Sequence, residues 1–200
     1  MLLSTDGMTL ADRLHASLAL RARDDLLAGD LIEGAPDAGH EAAVLVAITD
    51  RPDPGVLLTV RREHLRTHAG QVSFPGGRLD PGEDAVAAAL REAEEEIGLP
   101  RDRVVVWGAA DLYRTVTGYA VTPVLGQVPP DLPLAPHEHE VADWFEAPLS
   151  FLLDPANQQR MTAEFQGRTR HYYQIDWHGR RIWGATAAMI VNLTRRLAWA

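Results

Sequence analysis

The sequence predicts a layered protein of the α/β or α+β class, a sheet packed between helices. Two observations predict it. Short apolar runs of strand length recur along the chain, at 42–49, 56–62, 103–109 and 119–128. Three or so segments with helical periodicity interrupt them.

The elements follow in order. Residues 9–28, TLADRLHASLALRARDDLLA, place Leu10, Leu14, Leu18, Leu26 and Leu27 at helical spacing, and an amphipathic helix is expected. Residues 29–39 carry Gly29, Gly34, Pro36 and Gly39 and read as a connector. AAVLVAIT (42–49) is apolar throughout, as in a strand buried on both faces. The turn RPDPG (51–55) and the strand VLLTVRR (56–62) make it a hairpin. GQVSFPGG (70–77) reads as a short strand ending in a Pro-Gly-Gly loop. A helix is expected over 80–98, with Asp80 as N-cap, Pro81 in its first turn, Glu83 completing a capping box, and Gly98 and Pro100 ending it. RVVVWGA (103–109) is a strand. YAVTPVLGQV (119–128) is another, where Pro123 suggests an edge or a bulge. VADWFEAPL (141–149) leads into a short helix. RHYYQIDW and RRIWG form a hairpin around His178 and Gly179, and residues 185–197 form a terminal helix.

Two hundred residues suffice for one domain with a sizeable core, or one domain with an appendage. No apolar run approaches the 18 or so residues of a membrane helix. The first twenty residues lack the basic start of a secretory signal. With no Cys there is no disulfide framework, in keeping with a cytoplasmic location. The net charge of −9 argues against a nucleic-acid partner, and an anionic ligand would need metal ions or a local Arg cluster. All 19 basic residues are Arg, which codon bias explains as well as phosphate binding does.

The stretch REAEEEIG (91–98) crowds Glu92, Glu94, Glu95 and Glu96 into about a turn and a half of helix. Like charges at such spacing cost a few tenths of a kcal/mol per pair. At about 100° per residue, Val86, Ala89, Leu90, Ala93 and Ile97 share one apolar face. Glu92, Glu95 and Glu96 fall together on its flank, and Glu94 points elsewhere. One reading is a solvated acidic face. The other is a site for Mg²⁺ or Mn²⁺, which take hard oxygen ligands and leave positions for water and phosphate oxygens. The preceding glycine-rich loop, able to approach a ligand closely, favours the second.

From Gly77 the chain runs GRLDPGEDAVAAALREAEEEIGL. This stretch resembles a complete Nudix box, the signature of the Nudix hydrolases, with small Ala93 where a bulkier aliphatic is usual. The resemblance implies the Nudix fold, a mixed and partly barrel-like sheet sandwiched between helices, with the box as loop–helix–loop. It implies that residues 41–200 are the Nudix hydrolase domain, preceded by a helix and connector over 1–40. It implies metal ligation by Glu92, Glu95 and Glu96, joined by a carbonyl near Gly76 or Gly77. One of these glutamates helps activate the attacking water, and Glu83 and Arg91 pair to orient the acids.

Upstream, LLTVRREHLRTHAGQVSFPGG (57–77) resembles the extra motif of the coenzyme A pyrophosphatase branch. Its elements are Leu57-Leu58-Thr59, Arg61, Arg66, Gly70 and Phe74-Pro75-Gly76-Gly77. Arg62 departs from the pattern, standing where a small residue is usual. Arg61, Arg62, His64, Arg66 and His68 form a basic cluster, read either as a phosphate site or as a solvated strand end. GYAVTPVLG (118–126), residues 139–157 and IWGATA (182–187) extend the resemblance. Glu138, His139 and Glu140 are a candidate loop for a further acid or base, or a merely solvated loop. Trp144 and Trp183 read as core.

The expected reaction is metal-dependent hydrolysis of the diphosphate of coenzyme A or an acyl derivative, giving (acyl-)4′-phosphopantetheine and adenosine 3′,5′-bisphosphate. The alternatives are Nudix hydrolysis of ADP-ribose, NADH or a dinucleoside polyphosphate, or a Nudix module that binds without catalysis. Small-molecule substrates, Mg²⁺ or Mn²⁺, and no nucleic acid or membrane are expected. The terminal helices could support a homodimer.

Overall fold

The computed structural model describes residues 10–19, 25–30, 39–62, 70–165 and 168–197. Helix α1 spans Leu10–Ala19, β1 His40–Thr49, β2 Gly55–Arg61, β3 Val72–Ser73 and β4 Gly76–Arg78. Helix α2 spans Ala85–Ile97, β5 Val105–Ala109, β6 Tyr113–Arg114, β7 Tyr119–Val128, β8 Val141–Pro148 and α3 Leu149–Leu153. The chain continues with β9 (Gln159–Phe165), β10 (Arg168–Trp177), β11 (Arg180–Trp183) and α4 (Ala185–Leu197).

Among the described residues, β1 to β8 form one mixed sheet. Its path is β3-β2-β1-β7-β5, with β4 on β1, β6 on β7 and β8 on β2. β1 runs parallel to β7 over its whole length and antiparallel to β2 and β4. A separate sheet holds β11, β10 and β9 in that order. Among the described residues no helix is long and apolar enough to cross a membrane.

Both faces of β1 are covered, which explains its continuous apolar run. Ala43, Leu45 and Ala47 pack against Ala89, Ala93 and Ile97 of α2. Ala42, Val46 and Ile48 join the cluster on the other face, with Leu14 of α1, Leu152 of α3, Leu193 of α4 and Ile175 of the small sheet. The sheet is therefore sandwiched between α2 and the other three helices.

Several sequence expectations are corrected. Asp80 does not cap α2. Gly82 takes a left-handed φ of 84°, so residues 80–83 form a turn, and Asp84 caps the helix by accepting a hydrogen bond from the Ala87 N–H at 2.8 Å. Glu83 still reaches back to the Asp80 N–H at 3.0 Å. The Pro-Gly-Gly segment is not a free loop, because Gly76 and Gly77 pair with Val44 and Ala43 as strand β4. Pro123 lies inside the sheet and not on its edge. A strand residue's N and C=O point the same way, and the Pro123 C=O accepts from the Ala110 N–H at 2.8 Å. The missing donor therefore faces residues 110–112, where β5 has ended and β6 has not begun. The first helix does not persist to residue 28. Instead the Leu27 N–H and C=O are both taken by the Asn192 side chain, at 2.7 and 2.8 Å. Strands β8 and β9 complete the sheets where no strand was expected.

Candidate active site

Helix α2 lies across β1 and β4, and its acids descend from solvent into the protein. The side chain of Glu95 is 58% exposed, that of Glu92 17% and that of Glu96 3%. They do not share one boundary equally, as the wheel suggested. Glu94 is exposed and pairs with Arg101 at 2.6 Å, apart from the others.

Glu96 accepts a hydrogen bond from the Gly76 N–H at 3.1 Å. Its other oxygen lies 3.7 Å from Arg61 Nη1, at the end of β2. Burial is the main reason that its carboxyl is pushed up to about 7, against the lowering by Gly76 and Arg61. Burial also raises Glu92. The Glu92 carboxylate lies so close over the Gly77 backbone that a Cβ there would sit 2.3 Å from its Oε1. A larger residue at 77 would displace the acid.

Arg91 binds the box together. Its Nε and Nη2 donate to Glu83 at 3.0 and 2.9 Å, and Nη2 donates to the Arg78 carbonyl at 2.9 Å. Nη1 donates to Glu92 at 3.0 Å and to Glu95 at 3.1 Å. The Arg91 hydrogen bonds hold Glu83 below the usual carboxylate range, and Glu83 in turn holds Arg91 firmly protonated. The expected pairing of Glu83 with Arg91 is present. The contribution of the Arg78 carbonyl had no signal in the sequence, because it depends on the β4–β1 register.

The loop after β7 closes the far side. The His137 N–H donates to the Glu96 carbonyl at 2.8 Å, and the Arg62 N–H donates to the Glu140 carbonyl at 3.1 Å. Glu140 is exposed, and its charge adds to the upward shift of both Glu92 and Glu96. Glu138 and His139 are exposed, and the rings of His137 and His139 stand 5.5 Å apart. Trp144 packs at the margin of the α2-side core, and Trp183 lies under Arg181, 4.9 Å from its ring centre. The expected contributions of His64, Arg66 and His68 lie outside the described residues.

The donor set suits a hard divalent cation: oxygens only, including a buried carboxylate whose nearest cationic group among the described residues is 3.7 Å away. Among the described residues no three acidic or His side chains are already drawn together as ligands. Arg91 Nη1 instead holds Glu92 and Glu95 as a counter-cation.

A model of the NUDIX domain matches residues 39–175. This chain belongs to the Nudix family. It is 45% identical to the uncharacterized Nudix hydrolase NudL of Escherichia coli K12 over 160 residues, spanning 79% of this chain and 83% of that protein. NudL of Shigella boydii serotype 4 matches to the same extent. Among solved structures, the Nudix hydrolase RenU of M. smegmatis shares 26% identity with a TM-score of 0.50, covering 57% of this chain and 74% of that one. The chain is thus an enzyme of the Nudix pyrophosphohydrolase class, which acts on small-molecule diphosphates and generally uses Mg²⁺ or Mn²⁺.

Proposed function

We propose that this Nudix hydrolase cleaves the diphosphate of coenzyme A or its acyl derivatives, releasing 4′-phosphopantetheine (acylated where the substrate was) and adenosine 3′,5′-bisphosphate. One observation carries the reading. Arg61, from the stretch that resembles the coenzyme A motif, reaches within 3.7 Å of Glu96 of the acidic helix, while Gly76 of the same motif donates to that carboxylate. The motif that distinguishes the branch and the box shared by the family thus line one cradle. The same reading takes residues 41–200 as the catalytic domain and 1–40 as an appended helix and connector.

Glu92, Glu95 and Glu96, with a carbonyl near Gly76 or Gly77, would hold the divalent cation, which neutralises diphosphate charge and acidifies a bound water. Arg61 and Arg66 bind the diphosphate oxygens, as guanidinium forks suit. Gly76 and Gly77 let the substrate approach the backbone. Arg91 and Glu83 position the acidic side chains. One of Glu92, Glu95 and Glu96 would help activate the attacking water.

The test is product identification by mass after incubating coenzyme A with the purified protein and Mg²⁺. Products of 4′-phosphopantetheine and adenosine 3′,5′-bisphosphate are expected. A higher kcat/KM for ADP-ribose than for coenzyme A would sink the specificity. A folded Glu95→Gln variant with wild-type turnover would sink the ligand assignment.

A further inference from the structure

The small sheet ends in an open edge. Its order is β11-β10-β9, and among the described residues no strand pairs with the far side of β9. Native edge strands are commonly blunted by shortness, proline or bulges. β9 is seven residues long, QRMTAEF, without proline or glycine, and pairs with β10 in unbroken register. β11 covers β10 only over residues 174–177, so residues 160–165 and 168–173 form a two-stranded ribbon. Such a ribbon is marginal in water without a further strand or a core beneath it. None of residues 160–164 and 169–173 is buried, and Arg160, Thr162, Ala163 and Glu164 are exposed.

The backbone shows which groups face that edge. The Tyr173 C=O accepts from the Gly184 N–H at 3.1 Å, on the β11 side of β10 and away from β9. A strand residue's N–H and C=O point the same way, so Tyr173 and its partner Arg160 are a non-hydrogen-bonded pair. Arg160 therefore turns its N–H and C=O to the free edge, and by alternation so do Thr162 and Glu164. A second β9, laid antiparallel about a two-fold axis at Thr162, meets these groups with the same set. In that register Arg160 faces Glu164 of the second copy, and Glu164 faces Arg160 of the second copy. Thr162 faces its own counterpart, and Met161 faces Ala163. Opposite charges, paired threonines and apolar pairs directly opposite each other all favour a sheet. The strand is thus complementary to itself.

We propose that β9 is a homodimer interface, where two copies join their three-stranded sheets antiparallel into one continuous sheet. The contact is isologous, so it closes at two copies. Arg160, Thr162 and Glu164 each exchange both backbone hydrogen bonds across the axis. The terminal helix α4, the other expected dimer face, is committed inside the protomer, with residues 186–194 all buried.

The test is sedimentation equilibrium of the full chain and of variants in β9. Wild type should be a dimer. Arg160→Glu and Glu164→Arg each turn two opposite-charge pairs into like-charge pairs, and each should raise the dimer Kd about tenfold or more. The double variant Arg160→Glu/Glu164→Arg restores both pairs and should dimerise as wild type does. An equimolar mixture of the two single variants should form a heterodimer, because one copy brings two acids to these positions and the other two bases. Thr162→Pro removes a donor that faces only the free edge, so it should give a monomer with the circular dichroism of wild type. Should the proline variant not fold, the charge variants decide, since recovery in the double variant and in the mixture depends on register and not on stability. A wild type that stays monomeric at about 100 μM, above the range of weak specific interfaces, overturns the proposal. A dimer that neither single variant weakens, or a double variant that does not recover, overturns it as well.

Discussion

Glu96 makes the metal-free protein less stable as the pH rises. The perturbation is Glu96→Gln, which keeps the shape of the side chain and removes its charge. In the fold, burial moves the carboxyl from 4.5 up to about 7. Between those values the native state keeps a proton that the unfolded chain has lost, so stability falls with increasing pH. The cost is absent below about pH 4.5 and complete above about pH 7. At 1.36 kcal/mol per pH unit, the shift amounts to about 3 kcal/mol. Urea unfolding in EDTA, at half-unit steps from pH 4.5 to 8.5, measures it. The Gln variant should match wild type near pH 4.5 and exceed it by about 3 kcal/mol at pH 8. Millimolar Mg²⁺ should narrow the gap at pH 8 by stabilising wild type. A difference that does not change with pH, or a wild type more stable than the variant at pH 8, would refute the reasoning.

Three further outcomes separate the site from the scaffold. Gly77→Ala places a Cβ 2.3 Å from Glu92 Oε1, the far end of a side chain that can swing away. The fold should survive while Mn²⁺ affinity, read by calorimetry, falls roughly tenfold or more, the loss of about 1.4 kcal/mol from one displaced ligand. Gly76→Ala instead drives a Cβ to 2.3 Å from the Ala43 carbonyl and 2.6 Å from Val44 Cα, at a φ of 157°. Backbone cannot swing aside, so thermal unfolding should show a loss of more than about 2 kcal/mol. Asn192→Ala strands the Leu27 N–H and C=O, and urea titration should show a loss of about 2 to 3 kcal/mol with turnover retained.

The sequence by itself determined the elements whose signal is local. The apolar run at 42–49 became β1, the periodic stretch ending at Gly98 became α2, and residues 185–197 became α4. The resemblance to the box implied that Glu83 pairs with Arg91, and in the fold the turn before α2 brings Glu83 to the Arg91 guanidinium. What the sequence left open depends on which distant segments pair. The wheel ranks Glu92, Glu95 and Glu96 alike, and only the placement of β4 and the end of β2 against α2 buries Glu96 and exposes Glu95. Pro123 reads as an edge or bulge residue, and only the pairing of β7 shows that its missing donor faces the gap between β5 and β6, next to the register shift at Val106 and Gly108. Asp80 fits a capping box until the left-handed Gly82 turns the chain before the helix begins. Periodicity and capping act over a few residues and are written in order along the chain. Burial, register and the charge that a neighbour supplies come from segments tens of residues apart. Tertiary packing therefore decides which acid is raised toward neutrality.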